Sequence, residues 1–271
     1  MVPENAQTLA VTDELSVREL AHRYVGVLLD LDGVCYRGSD PIPGAAVAID
    51  RLRAAGVGIR FVTNNATRTP EAAADHLGAF GIVAAAHEVV TSPQAAADLL
   101  EPGTRCLVIG MAGVRAALTD RGCVVSDDPH DVDAVVVGMD TDLTWAKLCT
   151  ATIALDRGVR FIGTNGDVSF PSSEGLWPGN GAVLAALAAA TGREPVIAGK
   201  PHAPLLERAA NSLPEGPVLM VGDRIDTDIV GAQALGWDTL LVLSGISTAA
   251  EARAMSRPPT WLADSLAVLT P

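Results

Sequence analysis

The stretch VGVLLDLDGVCY, residues 25–36, places two aspartates directly after a run of apolar residues. Residues two apart on a strand point to the same face, so Asp30 and Asp32 can share one site if the strand persists that far. Neighbouring carboxylates repel each other, and burial strengthens this repulsion unless a cation offsets it. Gly33 allows the backbone to turn sharply beside a ligand. The stretch therefore predicts a buried strand that ends at a cation-binding turn.

Apolar runs of the same kind recur along the chain and alternate with alanine-rich stretches of helical spacing. These runs are continuous rather than alternating, which is typical of strands covered on both faces. Strands that alternate with helices indicate βαβ units, so we expect an α/β protein with parallel sheets. The predicted strands lie at 24–30, 58–64, 105–110, 133–140, 159–165, 195–200, 218–223 and 239–245. The predicted helices lie at 44–56, 70–81, 179–192 and 228–236.

The chain is long enough, at 271 residues, for a main domain and a smaller one. Four of the apolar runs end in charged or amide residues, whereas the runs in the middle of the chain end in residues with less charge. We therefore expect a core made of 24–89 and 194–271, which carries the site, and an inserted second α/β domain at 90–193. Residues 1–23 are predicted to be an N-terminal appendage, with a short helix within 13–24.

The composition excludes several classes of function. A net charge of −13 argues against a broad surface for nucleic acid or anionic lipid. There is no run of about 18 apolar residues of the kind that crosses a membrane, so we expect no membrane partner. The four cysteines have no C-x-x-C spacing, and the first residues are acidic without a long apolar run. Both features are typical of a cytoplasmic protein with reduced thiols.

The cation at the opening turn is expected to be Mg²⁺. The nearby candidate ligands are all oxygens, with no histidine or cysteine cluster, which favours a hard ion. Asp223 ends another apolar run, and Asp226 and Asp228 follow it closely, so this segment can complete the site. Taken alone, a D-x-D-G sequence is more often a surface turn. The EF-hand spacing and the glycine-rich nucleotide-binding motifs are absent from the sequence.

Two further strand ends carry groups that suit a phosphate. Thr63 and Asn64 offer a hydroxyl, an amide and a turning backbone, although an ordinary asparagine-rich turn explains them equally well. Lys200 is a point charge suited to phosphate, although a solvated lysine is the commoner case for such a residue. The segment GDRIDTDI, 222–229, has more acidic residues before an apolar helix than capping alone requires.

Taken together and in this order, DLDGV (30–34), VTNNATR (62–68), AGKP (198–201) and GDRIDTDI resemble the haloacid dehalogenase superfamily of phosphatases. The long insert after the second motif is similar to the large α/β cap of the type IIA branch. That branch contains 4-nitrophenyl phosphatases, glycerol phosphate phosphatases and the NagD-like phosphatase of the N-acetylglucosamine operon. The resemblance covers residues 25–271 and implies a Rossmann-like parallel-sheet core with an inserted cap.

The resemblance also implies a role for each matching residue. Asp30 would attack phosphorus to form an aspartyl-phosphate, and Asp32 would carry the proton for the leaving oxygen and the water. The Asp30 side chain, the Asp32 backbone carbonyl and Asp223 would hold Mg²⁺, and Asp228 would support them. Dehalogenases of the superfamily lack an aspartate at position 32, so its presence favours phosphoryl transfer. The residues implied to bind the phosphoryl group are Gly33, Thr63, Asn64, Asn65 and Lys200.

The substrate is expected to be a small phosphorylated metabolite that the insert selects. The turn-rich segment 163–187 offers Asn165, Asp167, Trp177 and Asn180 as candidate contacts. Glycerol 3-phosphate is the substrate that we expect first. Phosphoglycolate, pyridoxal phosphate, a sugar phosphate or a nucleoside monophosphate are the alternatives. A non-catalytic phosphometabolite-binding protein, and a phosphotransferase that passes phosphate to an alcohol, also remain open. The branch often dimerises through its cap, which makes a homodimer one expectation.

Overall fold

The computed structural model describes residues 9–172 and 174–271 and divides the chain into two compact units. The first unit contains the described residues up to Val62, His76–Ala84 and Ala209–Pro271. The second unit contains Thr63–Asp75 and Ala85–Arg208. The domain boundaries stated above stay a prediction.

Each unit is built from parallel strands and the helices that connect them. The helices are α1 (Val17–Arg23), α2 (Ala45–Ala54), α3 (Pro70–Gly78), α4 (Ser92–Asp98), α5 (Ala112–Asp120), α6 (Trp145–Asp156), α7 (Asn180–Thr191), α8 (Ala203–Asn211), α9 (Val230–Ala234) and α10 (Ala249–Ala254). The strands are β1 (Leu15–Ser16), β2 (Gly26–Leu29), β3 (Tyr36–Arg37), β4 (Asp40–Pro41), β5 (Gly58–Thr63), β6 (Val89–Thr91), β7 (Arg105–Ile109), β8 (Val124–Val125), β9 (Ala134–Val137), β10 (Arg160–Gly163), β11 (Ser169–Ser172), β12 (Gly175–Pro178), β13 (Val196–Ile197), β14 (Val218–Gly222), β15 (Asp238–Val242), β16 (Trp261–Ala263) and β17 (Leu269–Thr270). Short 3₁₀ turns occur at Ala86–Glu88 and Leu266–Val268, and a π-helical turn at Ile225–Ile229.

The first unit is organised around a parallel sheet in which β2 pairs with both β14 and β5. The order continues outward from β14 through β15 to β16. Every residue of β2 and of β14 is buried, as expected for strands whose continuous apolar runs are covered on both faces. Because β2 and β14 are adjacent and parallel, the residues that follow them lie at the same edge of the sheet. That edge is where the first and fourth motifs end.

The described part of the N-terminal appendage packs onto the first unit. β1 pairs in parallel with β17, and Thr12 donates a backbone hydrogen bond to Leu262. Val17 and Leu20 of α1 are buried, so this short helix contributes to the hydrophobic core. The predicted short helix is confirmed, and the appendage is joined to the unit by both strand pairing and packing.

The second unit has its own parallel sheet, in the order β13-β10-β9-β7-β8. Its core contains apolar side chains from these strands and from α6 and α7, including Ile109, Val135, Leu155, Phe161 and Leu184. An antiparallel hairpin, β11 and β12, precedes α7. The expected α/β class with parallel sheets is confirmed in both units.

The 195–200 run joins the second unit, because β13 pairs with β10. From the sequence, this run was expected to lie in the core that carries Asp30. The residues of the run do not themselves specify which sheet it joins. Within the described residues, no helix combines the length and the apolarity needed to cross a bilayer.

Candidate active site

Asp30 lies directly after β2, where the chain leaves the sheet. Its backbone N–H donates to the Val221 carbonyl at 2.9 Å, which continues the pairing of β2 with β14 for one more residue. The next residues form a tight turn in which the N–H groups of Val34 and Cys35 donate to Leu31, and that of Gly33 donates to Tyr36. Gly33 has φ of 85°, a left-handed conformation that favours glycine. The predicted turn after the opening strand is present.

Asp223 follows β14 and its side chain is tightly enclosed. The residue is buried, and its Oδ2 accepts the backbone N–H of Ile246 at 2.8 Å. A Cβ atom built on Gly33 would lie 2.5 Å from that oxygen, and one built on Gly245 would lie 1.9 Å from it. Real Cβ atoms do not approach so closely, so both positions must be glycine for Asp223 to occupy this place.

Asp228 lies on the π-helical turn that follows Asp223. It is fully buried, and its Oδ2 accepts the backbone N–H of Arg224 at 3.1 Å. A Cβ atom on Gly222 would lie 2.3 Å from the Cβ of Asp228, so this glycine at the end of β14 makes room for the side chain. The turn therefore directs a second buried carboxylate toward the strand end.

Asp30, Asp223 and Asp228 form a cluster that can hold a metal ion. One carboxylate oxygen from each lies within 4.8 Å of those from the other two. The donor set is entirely oxygen and triply acidic, which fits a hard divalent cation such as Mg²⁺. Asp228 thus joins the two side chains that the sequence assigned to the metal, whereas the carboxylate of Asp32 is not among the three.

Asp32 is in a different environment, although it lies only two residues from Asp30. The residue is exposed, but its carboxyl group lies against protein atoms that partly desolvate it, and this raises its pKa. A backbone hydrogen bond from Gly38 and the charge of Arg37 act in the opposite direction. A carboxyl group with a raised pKa keeps its proton to higher pH, which suits a proton donor.

Cys35 does not offer a second nucleophile beside these carboxylates. Its side chain is buried, and its thiol donates to the Asp30 carbonyl at 3.5 Å. Burial, and the nearby charge of Asp30 to a smaller extent, raise the pKa of this thiol well above its ordinary value. A thiol that stays protonated is a poor nucleophile.

The predicted phosphate-binding residues of the second motif belong to the second unit. Thr63 is buried, and its hydroxyl oxygen accepts the backbone N–H of Asn65 at 3.0 Å. Asn65 is exposed, and its own Oδ1 accepts from the backbone N–H and the hydroxyl of Thr67. These bonds form a compact turn after β5, in which the backbone of residues 63–65 is held by side chains.

Asn64 and Lys200, which the resemblance implies to bind the same phosphoryl group, are in contact within the second unit. Lys200 is 3% exposed, an unusually low value for a lysine. Its backbone N–H donates to Asn64 Oδ1 at 2.8 Å, and its carbonyl accepts from Asn64 Nδ2 at 3.0 Å. Asn64 Nδ2 also donates to Asp167 Oδ2 at 3.1 Å, so the Asn64 side chain joins three residues that were predicted from the second motif, the third motif and the insert.

The candidate substrate contacts of the insert divide into two groups. Asn165 and Asn180 are buried, and their amide groups donate to backbone carbonyls: Asn165 to Asn64, and Asn180 to Val137 and Asn165. These contacts give the two asparagines a role in holding loops together. Trp177 lies on β12, is 45% exposed and contacts Phe170 edge to face, with ring centroids 6.2 Å apart.

The loop at 244–247, which contacts Asp223, was not predicted from the sequence. The hydroxyl of Ser244 donates to the Gly33 carbonyl at 2.6 Å, and the Ser247 N–H donates to the Asp223 carbonyl at 3.0 Å. The position of this loop could have indicated its role, because it follows β15, the neighbour of β14 in the sheet. Small residues at the end of a predicted strand carry no charge to mark them.

Comparisons with known proteins show the family to which the chain belongs. A model of the family described as haloacid dehalogenase-like hydrolase matches residues 27–124, and a HAD-hydrolase-like model matches 197–269. An acid sugar phosphatase of Staphylococcus aureus is 41% identical over 244 residues, 88% of this chain and 94% of the relative. A crystal structure of glycerol phosphate phosphatase from Mycobacterium tuberculosis, in complex with magnesium, is 36% identical. It superposes with a TM-score of 0.86 and covers 94% of this chain and 78% of that one. NagD from Escherichia coli K-12 is 28% identical, with a TM-score of 0.84 over 90% of this chain and 98% of that one.

Proposed function

The chain belongs to the haloacid dehalogenase-like hydrolase family and is a Mg²⁺-dependent phosphatase, and we propose that Asp30 is the nucleophile with which it cleaves a small phosphomonoester. The observation that carries this proposal is the cluster of Asp30, Asp223 and Asp228 at the carboxyl ends of two adjacent parallel strands. Oxygen ligands in this number fit Mg²⁺, which when bound offsets the negative charge of carboxylate and phosphate.

Asp30 is the residue of the cluster that is suited to attack. It is partly exposed, whereas Asp223 and Asp228 are buried. In the proposed reaction an Asp30 carboxylate oxygen forms a bond to phosphorus while the bond from phosphorus to the ester oxygen breaks. Water then attacks phosphorus, which releases phosphate and restores the carboxylate. The division into two displacements requires a group that handles the proton in each of them.

Asp32 is proposed as that group. It would donate its proton to the departing alcohol oxygen and then accept a proton from the attacking water, so it returns to its starting state. The desolvation that raises its pKa supports the first step, since the carboxyl group must carry a proton when the substrate arrives. The Asp32 backbone carbonyl, rather than its side chain, is the proposed contribution to the metal site, with Asp228 as a supporting carboxylate.

The phosphoryl oxygens are proposed to be bound by Thr63, by the backbone around Gly33, Asn64 and Asn65, and by Lys200. The burial of Lys200 supports this role, because a buried ammonium group interacts strongly with charged oxygens. Asp167 and Trp177 are the contacts of the insert that we retain as candidates for the rest of the substrate. Both are at least partly exposed.

Glycerol 3-phosphate is the proposed substrate, supported by the M. tuberculosis neighbour that bears the name glycerol phosphate phosphatase. A sugar phosphate is the second candidate, because the curated S. aureus relative is named an acid sugar phosphatase. The test is to compare kcat/KM for glycerol 3-phosphate, a hexose phosphate, phosphoglycolate, pyridoxal phosphate and a nucleoside monophosphate. A preference of at least tenfold for glycerol 3-phosphate supports the first candidate. A preference for any other substrate overturns it, and an alcohol acceptor added to the assay shows whether phosphate is transferred instead of released.

A cytoplasmic location and a homodimer complete the proposal. All four cysteines are free thiols, which fits a reducing compartment. Trp145, at the start of α6, is 79% exposed, and exposed tryptophans are enriched at protein interfaces. Light scattering at several concentrations tests the dimer, and the mass of a single chain at all of them contradicts it.

A further inference from the structure

The side chain of Asn64 contacts both backbone polar groups of Lys200. Asn64 Oδ1 accepts the Lys200 N–H at 2.8 Å, and Asn64 Nδ2 donates to the Lys200 carbonyl at 3.0 Å. This pairing fixes the orientation of the carboxamide, because the flipped group would place donor against donor and acceptor against acceptor. The second proton of Nδ2 goes to Asp167 Oδ2 at 3.1 Å. Both amide protons of Asn64 are therefore used within the protein, and neither is left for a phosphate.

The backbone of Asn64 is itself held by buried side chains. Its carbonyl accepts from the hydroxyl of Ser92 and from the amide of Asn165, each at 2.9 Å. Ser92 and Asn165 are both buried. A Cβ atom on Gly199 would lie 2.6 Å from Asn64 Oδ1, so the glycine before Lys200 leaves room for the carboxamide. Asn64 is thus a rigid link between the interior of the unit and Lys200.

Lys200 needs such a link because of its length and flexibility. A lysine side chain has many rotamers and loses conformational entropy when it is fixed in one of them. Hydrogen bonds to both its N–H and its carbonyl set the position and the direction from which the side chain starts. A displacement of about 1 Å in a group that compensates transition-state charge can lower the rate about 100-fold.

We propose that Asn64 is a positioning residue, and that it acts on the reaction by fixing the backbone of Lys200. This inference rests on the proposed function, in which Lys200 compensates the charge of the phosphoryl group. The sequence predicted that the Asn64 side chain binds phosphate directly. In the present proposal that side chain acts through Lys200, and only the backbone N–H of Asn64 can donate to the phosphate.

A double-mutant cycle tests the inference with four proteins: wild type, Asn64→Ala, Lys200→Met and the double variant. We expect Asn64→Ala to lower kcat about 10- to 100-fold, with a smaller change in KM. In the Lys200→Met background the same substitution is expected to change kcat less than threefold, because the group that it positions is already absent. Asn211→Ala is the matched control, since Asn211 is exposed at the end of α8, and it should retain wild-type kcat.

The outcomes separate this inference from the proposed function. Losses that multiply in the double variant, or a wild-type kcat for Asn64→Ala, overturn the inference while the phosphatase assignment stands. A wild type that releases no phosphate from any of the five test substrates overturns the proposed function, and the inference falls with it. Thermal unfolding of each variant shows whether it is folded.

Asn64→Asp keeps the inference testable if Asn64→Ala does not fold. The aspartate keeps the acceptor for the Lys200 N–H but places a negative oxygen against the Lys200 carbonyl and against Asp167. We expect a loss of kcat like that of Asn64→Ala. In the Lys200→Met background Asn64→Asp should change kcat less than threefold. A loss that persists in full without Lys200 contradicts the positioning role.

Discussion

The carboxyl group of Asp223 is positioned by two glycines and one backbone N–H. Gly33 and Gly245 come from turns after two different strands, and each leaves space that any side chain would fill. The N–H of Ile246 adds a directed hydrogen bond to the same oxygen that the glycines approach. The geometry of the site therefore depends on glycine at these two positions as much as on the carboxylates themselves.

Gly245→Ala is expected to weaken Mg²⁺ binding and activity without removing any charged group. The new methyl group would meet the Asp223 carboxylate, and displacing a metal ligand through its neighbour typically costs about 10- to 100-fold in metal affinity or activity. The measurement is the Mg²⁺ concentration that gives half-maximal phosphate release. Gly78→Ala is the control, since nothing lies within 4 Å of its added methyl group. An unchanged Mg²⁺ dependence in Gly245→Ala would show that Asp223 does not depend on this close packing.

The sequence predicted the charged members of this site because each follows a continuous apolar run. Asp30 and Asp223 are visible as the first polar residues after buried strands, and parallel pairing brings the two strand ends together. Ser244 and Gly245 were not predicted, because the contact of Ser244 with Gly33 and that of Gly245 with Asp223 join residues far apart in the chain and have no local signal. The raised pKa of Asp32 could not be predicted from the sequence, because it depends on desolvation that arises only when the chain folds.

The N-terminal helix α1 is an example of an element whose role lies in packing. Leu20 is fully buried, and β1, directly before the helix, pairs with β17 at the other end of the chain. Arg253 on α10 also donates to the Leu9 carbonyl at 3.0 Å. The described part of the appendage is thus joined to the C-terminal strands of the first unit. Its loss should therefore lower the free energy of unfolding and leave the catalytic residues unchanged.

Leu20→Ala is expected to lower the free energy of unfolding by about 2–5 kcal/mol, the usual cost of a cavity at a fully buried leucine. The measurement is urea unfolding in the presence of Mg²⁺. Glu19→Ala, on the same helix, is the matched control, because its ion pair with Arg23 is long at 3.9 Å and exposed, and its loss should cost less than about 0.5 kcal/mol. Equal midpoints for the two variants would contradict a packed role for α1.

The apolar runs predict where strands lie, but they do not predict which sheet each strand joins. The apolar runs predicted β2, β10 and β14 to within a few residues, because a buried strand must be apolar on both faces. The run at 195–200 forms only the two-residue strand β13, which joins β10. A strand's sheet is chosen by the pairing partners available to it, and these are not encoded in its own residues.

The residues proposed to take part in the reaction belong to both units of the chain. The three carboxylates belong to the first unit, and the buried Lys200 and the turn at 63–65 belong to the second. A net charge of −13 is compatible with an anionic substrate, because a bound cation and one buried ammonium group supply the charge locally.

Mg²⁺ is expected to stabilise the first unit against heat. A ligand that binds only the folded state adds about 2.7 kcal/mol at 100 times its Kd, so saturating Mg²⁺ should raise Tm by several degrees. Asp223→Asn should lose most of this shift, since it removes one of the three clustered carboxylates. Asp50→Asn, an exposed change on α2, is the control that should keep it. A full Mg²⁺ shift in Asp223→Asn would mean that the ion binds elsewhere.

The most direct measurement of the central claim is phosphate release by wild type and by Asp30→Asn, with Mg²⁺ and after its removal by a chelator. The substitution keeps the size of the side chain but replaces the attacking carboxylate by an amide, which is a poor nucleophile. We predict Mg²⁺-dependent release by the wild type from at least one small phosphomonoester, and a loss of at least about 1,000-fold in kcat for Asp30→Asn. Release that persists at the wild-type rate in Asp30→Asn, or that is unaffected by removal of Mg²⁺, would contradict the account.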